Sequence, residues 1–223
     1  MVGNTCRIWL LGALMAGFFT LNMQAADGAN ADSSNEGANP LLMEWKTPFG
    51  VPPFEQIQEG HFLPAFQEAI AKTRQEVGAI AQDARPATFA NTIETLDASG
   101  ELLDKVGAVF GNLRSAHTND RLQEIAKQVA PLTSALQDDI LLNEQLFARV
   151  KTVWEGRNSL GLDAVQRRLV EETYKRFVRG GANLSADSKT RLRAINEELA
   201  LLGLRFGDNL LKETNAYRLV LER

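Results

Sequence analysis

Apolar residues recur along most of this chain at steps of three and four, the spacing of one face of an α-helix. Phe62, Phe66, Ile70, Thr73, Val77 and Ile80 make the first such stripe. Pro64 suits the first turn of that helix, where a missing N–H costs nothing, and Pro86 ends the link that follows. Phe89, Ile93, Leu96, Gly100, Leu103, Val106, Phe110, Leu113 and His117 continue as a heptad-like seam. This pattern predicts one long helix packed at a shallow angle and capped by Thr88. Gly100 and Gly107 each weaken an isolated helix by about 1 kcal/mol. Gly100 lies on the seam, which predicts close approach of a neighbouring helix.

Thr118-Asn119-Asp120 reads as a break and a new cap. Leu122, Ile125, Val129, Leu132, Leu136 and Ile140 form the next stripe, which Pro131 is expected to kink or split. Asn143 caps a short helix through Leu146, Val150 and Trp154, and Gly156 to Leu162 is a loop. Asp163 and Gln166 have capping-box spacing, and the helix they open is expected to bury Val165, Leu169, Tyr174, Phe177 and Val178. Gly180-Gly181 should stop it with a left-handed cap. Ser185 opens the last helix, with Leu192, Ile195, Leu199, Leu202, Phe206 and Leu210 on one face. That face and the Phe89–Leu113 seam are expected to bury each other.

The two ends read differently. Pro48, Pro52 and Pro53 forbid a helix early in the body, so residues from Pro40 form an extended arm. Leu41, Leu42, Trp45, Phe49 and Phe54 of the arm call for burial. At the other end Ala216 to Arg223 alternates apolar and polar, as a strand does. A lone strand has no ladder, so a short unpaired strand points to a truncated chain; a frayed apolar tail is the other reading. The predicted fold class is all-α, a multi-helix bundle with that strand at its C-terminal end.

Upstream of the body, Arg7 and the amino terminus form a positive n-region before the apolar stretch Ile8 to Leu21. That stretch falls short of the roughly 20 residues of a membrane span. Gln24-Ala25-Ala26 offers a small-residue cleavage site, so residues 1–26 read as a signal peptide. An uncleaved N-terminal anchor is the alternative. Residues 27–39 are small and polar and cannot bury enough surface to order themselves, which makes them a disordered spacer. The body is then 40–223, periplasmic or otherwise exported, with no stable membrane association after cleavage.

Charge and chemistry exclude several functions. The chain has 223 residues and a formal charge of −4 with acids and bases interspersed, so no nucleic-acid partner is expected. Cys6, the only cysteine, lies in the signal, so the mature chain has no disulfide and no thiolate chemistry. His61 and His117 are far apart in sequence, whereas a helical zinc motif needs two imidazoles four residues apart. Each reads better as a helix-end residue than as a member of a composite metal site. No G-x-S-x-G elbow and no phosphate loop occur. The pairs Asp138-Asp139, Glu171-Glu172 and Glu197-Glu198 do not converge, since adjacent residues on a helix point about 100° apart, and they read as solvated faces. Arg167, Arg168, Lys175, Arg176 and Arg179 cluster on one helix, with Glu171–Lys175 and Glu172–Arg176 as expected pairs. An acidic peptide or a partner domain is the ligand that cluster would suit. No catalytic, cofactor-binding or metal residue is assigned.

Several ordered blocks resemble one family. NPLL at Asn39–Leu42, GHFLPAFQEAIA at Gly60–Ala71, FANTIETLDASGELLDKVGAVFGNL from Phe89, AHTNDRLQ from Ala116 and ETYKRFVRGGANLS at Glu172–Ser185 carry the likeness. A K-x-R-L-x-x-I-N-x-E-L-A pattern follows from Lys189 to Ala200. Together they resemble the N-terminal region of the thimet oligopeptidase/peptidyl-dipeptidase family of zinc metallopeptidases, and the HFLPAF wording resembles the peptidyl-dipeptidase branch. The resemblance implies the N-terminal lobe of a neurolysin-like, two-lobed helical enzyme around a channel that admits short peptides. It also implies zinc in the complete enzyme, on an H-E-x-x-H motif that this chain lacks. The expected function is therefore a lobe and channel wall of an exported zinc-dependent peptidyl-dipeptidase, inactive alone, whose partner is the missing C-terminal catalytic region. The alternatives are a non-catalytic helical module that binds peptides or a partner, and a non-functional truncated product.

Export gives the first test. If residues 1–26 are removed, N-terminal sequencing of the exported product should begin at Ala26 or Asp27. A membrane-retained product that keeps Met1 would identify the segment as an anchor instead.

Overall fold

A computed structural model of the chain describes residues 38–220. Residues 1–37, on which the expected signal peptide and most of the expected spacer fall, and residues 221–223 lie outside the described residues. Among the described residues seven α-helical segments follow one another: α1 (Phe62–Ala81), α2 (Thr95–Asp97), α3 (Glu101–Ala116), α4 (Asp120–Leu141), α5 (Glu144–Gly156), α6 (Ala164–Arg179) and α7 (Ala186–Ala216). Among the described residues there is no strand, and no helix is long and apolar enough to cross a membrane. Tyr217 leaves α7 in extended conformation, and residues 217–220 join no ladder.

The stripe predicted for the first helix is the organising surface. Phe62, Phe66, Ile70, Thr73, Val77 and Ile80 are all buried on α1. Its first half packs with Val106 and Phe110 of α3 and with Leu122, Ile125 and Val129 of α4. Phe110 lies 5.0 Å from the Phe62 ring and edge-on to Phe66 at 5.4 Å. The second half of α1 packs with Ile93, with Leu146, Phe147 and Val150 of α5, and with Val170 and Phe177 of α6. Full burial of a Phe or Leu side chain contributes roughly 1.5–3 kcal/mol, so this one stripe anchors much of the core.

Local signals set most helix starts. Side-chain oxygens of Thr88, Asn119, Asn143, Asp163 and Ser185 each accept a backbone N–H three residues on. Asp163 and Gln166 complete a reciprocal box, at 2.8 Å and 3.1 Å. The end of α6 is also as expected. Ala182 N–H bonds Phe177 O at 3.0 Å and Gly181 N–H bonds Val178 O at 3.2 Å, a Schellman closure with Gly181 at φ +97°.

Four expectations are corrected. The long helix from Phe89 to His117 is two pieces. Phe89–Glu94 is wound in wide π-type turns, α2 follows, and Gly100 breaks the helix at φ +86°. Gly100 is needed for that left-handed conformation, and its N–H donates to Glu76 Oε2 at 2.9 Å. Of the kink or split expected at Pro131, the split does not occur: α4 runs through it as one helix, with Val129 and Leu136 buried on either side. On α6 the buried positions are Val170 and Phe177, while Val165 is 78% and Val178 37% exposed. Of the five large apolar residues of the arm only Leu41 is fully buried and Trp45 is half-buried. Trp45 donates its indole N–H to Pro40 O at 2.9 Å and lies under the Lys105 ammonium at 4.2 Å. Phe49 is wholly exposed, and Leu42 and Phe54 are exposed as well.

Two of the left-handed glycines, Gly100 and Gly181, give a stability test. Replacing either by Ala forces a Cβ into the left-handed region, at roughly 1–2 kcal/mol per residue. At Gly100 the new Cβ meets only ordinary contacts, the nearest being Thr73 Cγ2 at 3.5 Å. At Gly181 it meets Leu192 Cδ2 at 2.7 Å and Leu184 Cδ1 at 3.0 Å. Urea denaturation should therefore show Gly181→Ala losing more stability than Gly100→Ala. The reverse order would contradict the packing.

Candidate functional site

The two histidines sit at helix ends. His61 closes the turn Glu59–His61 that leads into α1, and its Nδ1 accepts the Gln58 N–H at 3.0 Å. His117 is the last residue of α3's closing turn, with its own N–H on Leu113 O. Asn119 Nδ2 donates to Glu59 Oε1 at 2.6 Å, which ties the start of α4 to the turn before α1. Among the described residues no three His, Cys, Asp or Glu side chains gather as a metal site requires.

The charged face of α6 is partly as expected. Lys175 Nζ lies 2.7 Å from Glu171 Oε1, and this hydrogen bond holds the Glu171 carboxyl below its ordinary range and raises Lys175. The Glu172–Arg176 pair does not form. Glu172 is taken by Arg168 at 3.0 Å and Lys175 at 3.4 Å. Arg176 makes no side-chain ion pair or hydrogen bond among the described residues.

Asp138-Asp139 is not a solvated pair. Asp138 is buried, and its Oδ1 accepts Asn196 Nδ2 at 2.6 Å. Asp139 takes Arg193 of α7 at 2.9 Å and Arg74 of α1 at 3.1 Å. Lys189, buried at the start of α7, reaches Glu144 Oε1 at 2.9 Å. The first turns of α7 are thus docked on α4 by polar side chains with half-buried Leu192, and further along Leu204 packs against the first core cluster. The apolar face expected to meet the Phe89–Leu113 seam is instead exposed. Ile195, Leu199, Leu202, Phe206 and Leu210 face outward, Phe206 at 72%. Charged docking contacts need specific partners, and Asp138, Asp139 and Glu144 supply them on one side only. Sequence periodicity marks an apolar face without saying what it meets.

Another polar cluster clamps the α1–α2 link. Arg149 of α5, 10% exposed, donates to Asp83 O at 2.6 Å, Arg85 O at 2.9 Å and Asn91 Oδ1 at 3.1 Å. Asp83 in turn accepts from Arg85 Nε at 3.0 Å and from the Arg85 N–H at 2.9 Å. Those two hydrogen bonds from Arg85, then the charges of Arg85 and Arg149, hold the Asp83 carboxyl down to about 2. The sequence gives no hint of this cluster, because Arg149 is remote from the loop it pins.

Two open clefts flank α4. One, of about 440 Å³, lies between α1, the α2–α3 break, α4 and α6. The other, of about 580 Å³, lies between α4, the end of α6 and α7. Gln137 lines both.

No family model matches the chain. It is similar to the dipeptidyl carboxypeptidase of Escherichia coli K12, 43% identical over 182 residues, which are 82% of this chain and 27% of that protein. The dipeptidyl carboxypeptidase of Salmonella typhimurium LT2 is 42% identical over 178 residues, 80% of this chain and 26% of the relative. Oligopeptidase A of Escherichia coli K12 is 27% identical over 176 residues, 79% of this chain and 25% of the relative. The chain thus spans about a quarter of the length of the relatives it matches.

The Asp83 cluster has a pH signature. A carboxyl held below its ordinary range in the folded state contributes stability above its unfolded pKa, near about 4, and loses it as pH falls toward the folded value of about 2. Urea midpoints between pH 5 and pH 2 should therefore fall less steeply in Asp83→Asn than in the unaltered chain. Parallel acid limbs would show that Asp83 is not held as described.

Proposed function

The chain belongs with the dipeptidyl carboxypeptidases and oligopeptidase A, the thimet oligopeptidase family, as a region about a quarter of their length, and on that premise we propose that it builds the N-terminal helical lobe of an exported peptidyl-dipeptidase. One observation carries the branch assignment: identity is 43% to a dipeptidyl carboxypeptidase and 27% to an oligopeptidase A. Short peptides are the substrate class, and zinc in the complete enzyme is the cofactor that the family resemblance implies. The described residues do not fit a zinc ion. His61 and His117 serve helix ends, and no third ligand accompanies them. No catalytic step is therefore assigned to this chain, and the isolated chain is expected to be inactive.

Its contribution is a wall and a docking face. The exposed stripe of Ile195, Leu199, Leu202, Phe206 and Leu210 is continuous and apolar, on a helix whose other side is already docked through Arg193, Asn196 and Leu204. Exposed apolar stripes of this kind mark interaction surfaces. The occupant proposed is the remainder of the enzyme, the three quarters of the relatives' length that this chain does not match. Export is supported by the charged n-region, apolar h-region and small-residue site of residues 1–26.

A chimera tests the reading. Residues 40–220 would replace the matching region of the Escherichia coli dipeptidyl carboxypeptidase. Chelator-sensitive release of C-terminal dipeptides from short peptides is expected. A soluble chimera with the parent's melting temperature and no such activity would refute the proposal. Phe206→Asp separates the docking face from the chemistry. In the isolated chain it should leave the melting temperature unchanged, because Phe206 is exposed. In the chimera it buries an unpaired carboxylate, a loss of roughly 3–5 kcal/mol.

A further inference from the structure

The cleft between α1, α4 and α6 is lined by exposed charges that pair with no neighbouring side chain. Asp97 at the end of α2 and Asp104 in the first turn of α3 line it, as does Arg176 in the last turn of α6. None of the three side chains makes a hydrogen bond or ion pair among the described residues. Arg176 is free because Glu172 is engaged by Arg168 and Lys175. The two acids do not reach Arg176 within ion-pair distance, although all three line one space. Apolar Leu136 and Ile140 of α4 and buried Phe177 of α6 line it as well, among polar Thr73, Thr133 and Gln137. A volume of about 440 Å³ suits a small ligand, for which pockets run from roughly 300 to 1,000 Å³.

We propose that this cleft binds free dipeptides as zwitterions. The ligand's ammonium lies against the carboxylates of Asp97 and Asp104, and its terminal carboxylate takes the Arg176 guanidinium. Arginine suits that role because its planar fork pairs a carboxylate through two parallel bonds. Two residues in extended form separate the two termini by roughly 7 Å, which lets one ligand bridge charges too far apart to pair directly. The ligand's side chains lie on Leu136 and Ile140. A dipeptide is also the product class of a peptidyl-dipeptidase, so the physiological source of the ligand rests on the function proposed above. The binding itself does not.

Titration of the purified chain by calorimetry tests the site. The probes are leucyl-leucine, its N-acetyl form, its C-terminal amide and free leucine. Saturable binding of leucyl-leucine is expected. Blocking either terminus, or Arg176→Gln, or Asp97→Asn with Asp104→Asn, should weaken it about tenfold or more, as loss of a charge-assisted hydrogen bond does. Circular dichroism and melting temperature are read for each variant, and all three positions are exposed, so folding is expected to be unchanged. Equal binding of the blocked forms, no effect of the substitutions in folded protein, or no saturable binding at millimolar dipeptide would each overturn the proposal. Free leucine binding as tightly as leucyl-leucine would overturn the dipeptide assignment. An active chimera with no dipeptide binding would remove this site and leave the enzyme reading intact. Binding together with an inactive chimera would do the opposite.

Discussion

The described body depends on one continuous apolar stripe of α1. Phe62, Ala65 and Phe66 at its start and Val77 and Ile80 near its end belong to two separate packed clusters. α3 and the arm close over the first cluster, α5 and α6 over the second, and α4 reaches both. A helix of this length can serve both only if its buried positions stay in phase over five turns, which steps of three and four ensure. A polar residue at Phe66 or Val77 would open a cluster rather than a local contact.

Polar contacts then decide geometry that apolar packing leaves free. Arg149 collects the carbonyls of the link after α1 and brings Asp83, Arg85 and Asn91 to α5. Such a guanidinium offers five donors in a fixed fork, so it specifies the path of a loop that has little apolar surface of its own. Asp138 and Asp139 do the same for α7, choosing which of its faces meets α4. Once that side is docked, α7 presents the stripe of Ile195, Leu199, Leu202, Phe206 and Leu210 to solvent.

The helices were legible in the chain because their signals are local. The stripe from Phe62 to Ile80, the caps at Thr88, Asn143, Asp163 and Ser185, and the Gly180-Gly181 stop all depend on residues within a turn or two of each other. The family was legible for a related reason, since ordered blocks over most of the body survive comparison with the dipeptidyl carboxypeptidases. Periodicity went wrong where backbone sign mattered. The seam through Gly100 keeps helical spacing, but spacing says nothing of φ, and a left-handed glycine hydrogen-bonded to Glu76 ends the helix there.

By itself the sequence determined that this is a helical body with capped, amphipathic segments and a peptidase ancestry, because those properties follow from short-range spacing and from matched blocks. Tertiary structure alone decided what each face meets. Glu172 chose Arg168 and Lys175 over Arg176, α7 docked by Arg193, Asn196, Leu192 and Leu204 rather than by the stripe from Ile195 to Leu210, and Asp97, Asp104 and Arg176 came to line one cleft. Each outcome depends on the relative placement of helices distant in the chain, and residue spacing along one helix carries no information about that placement.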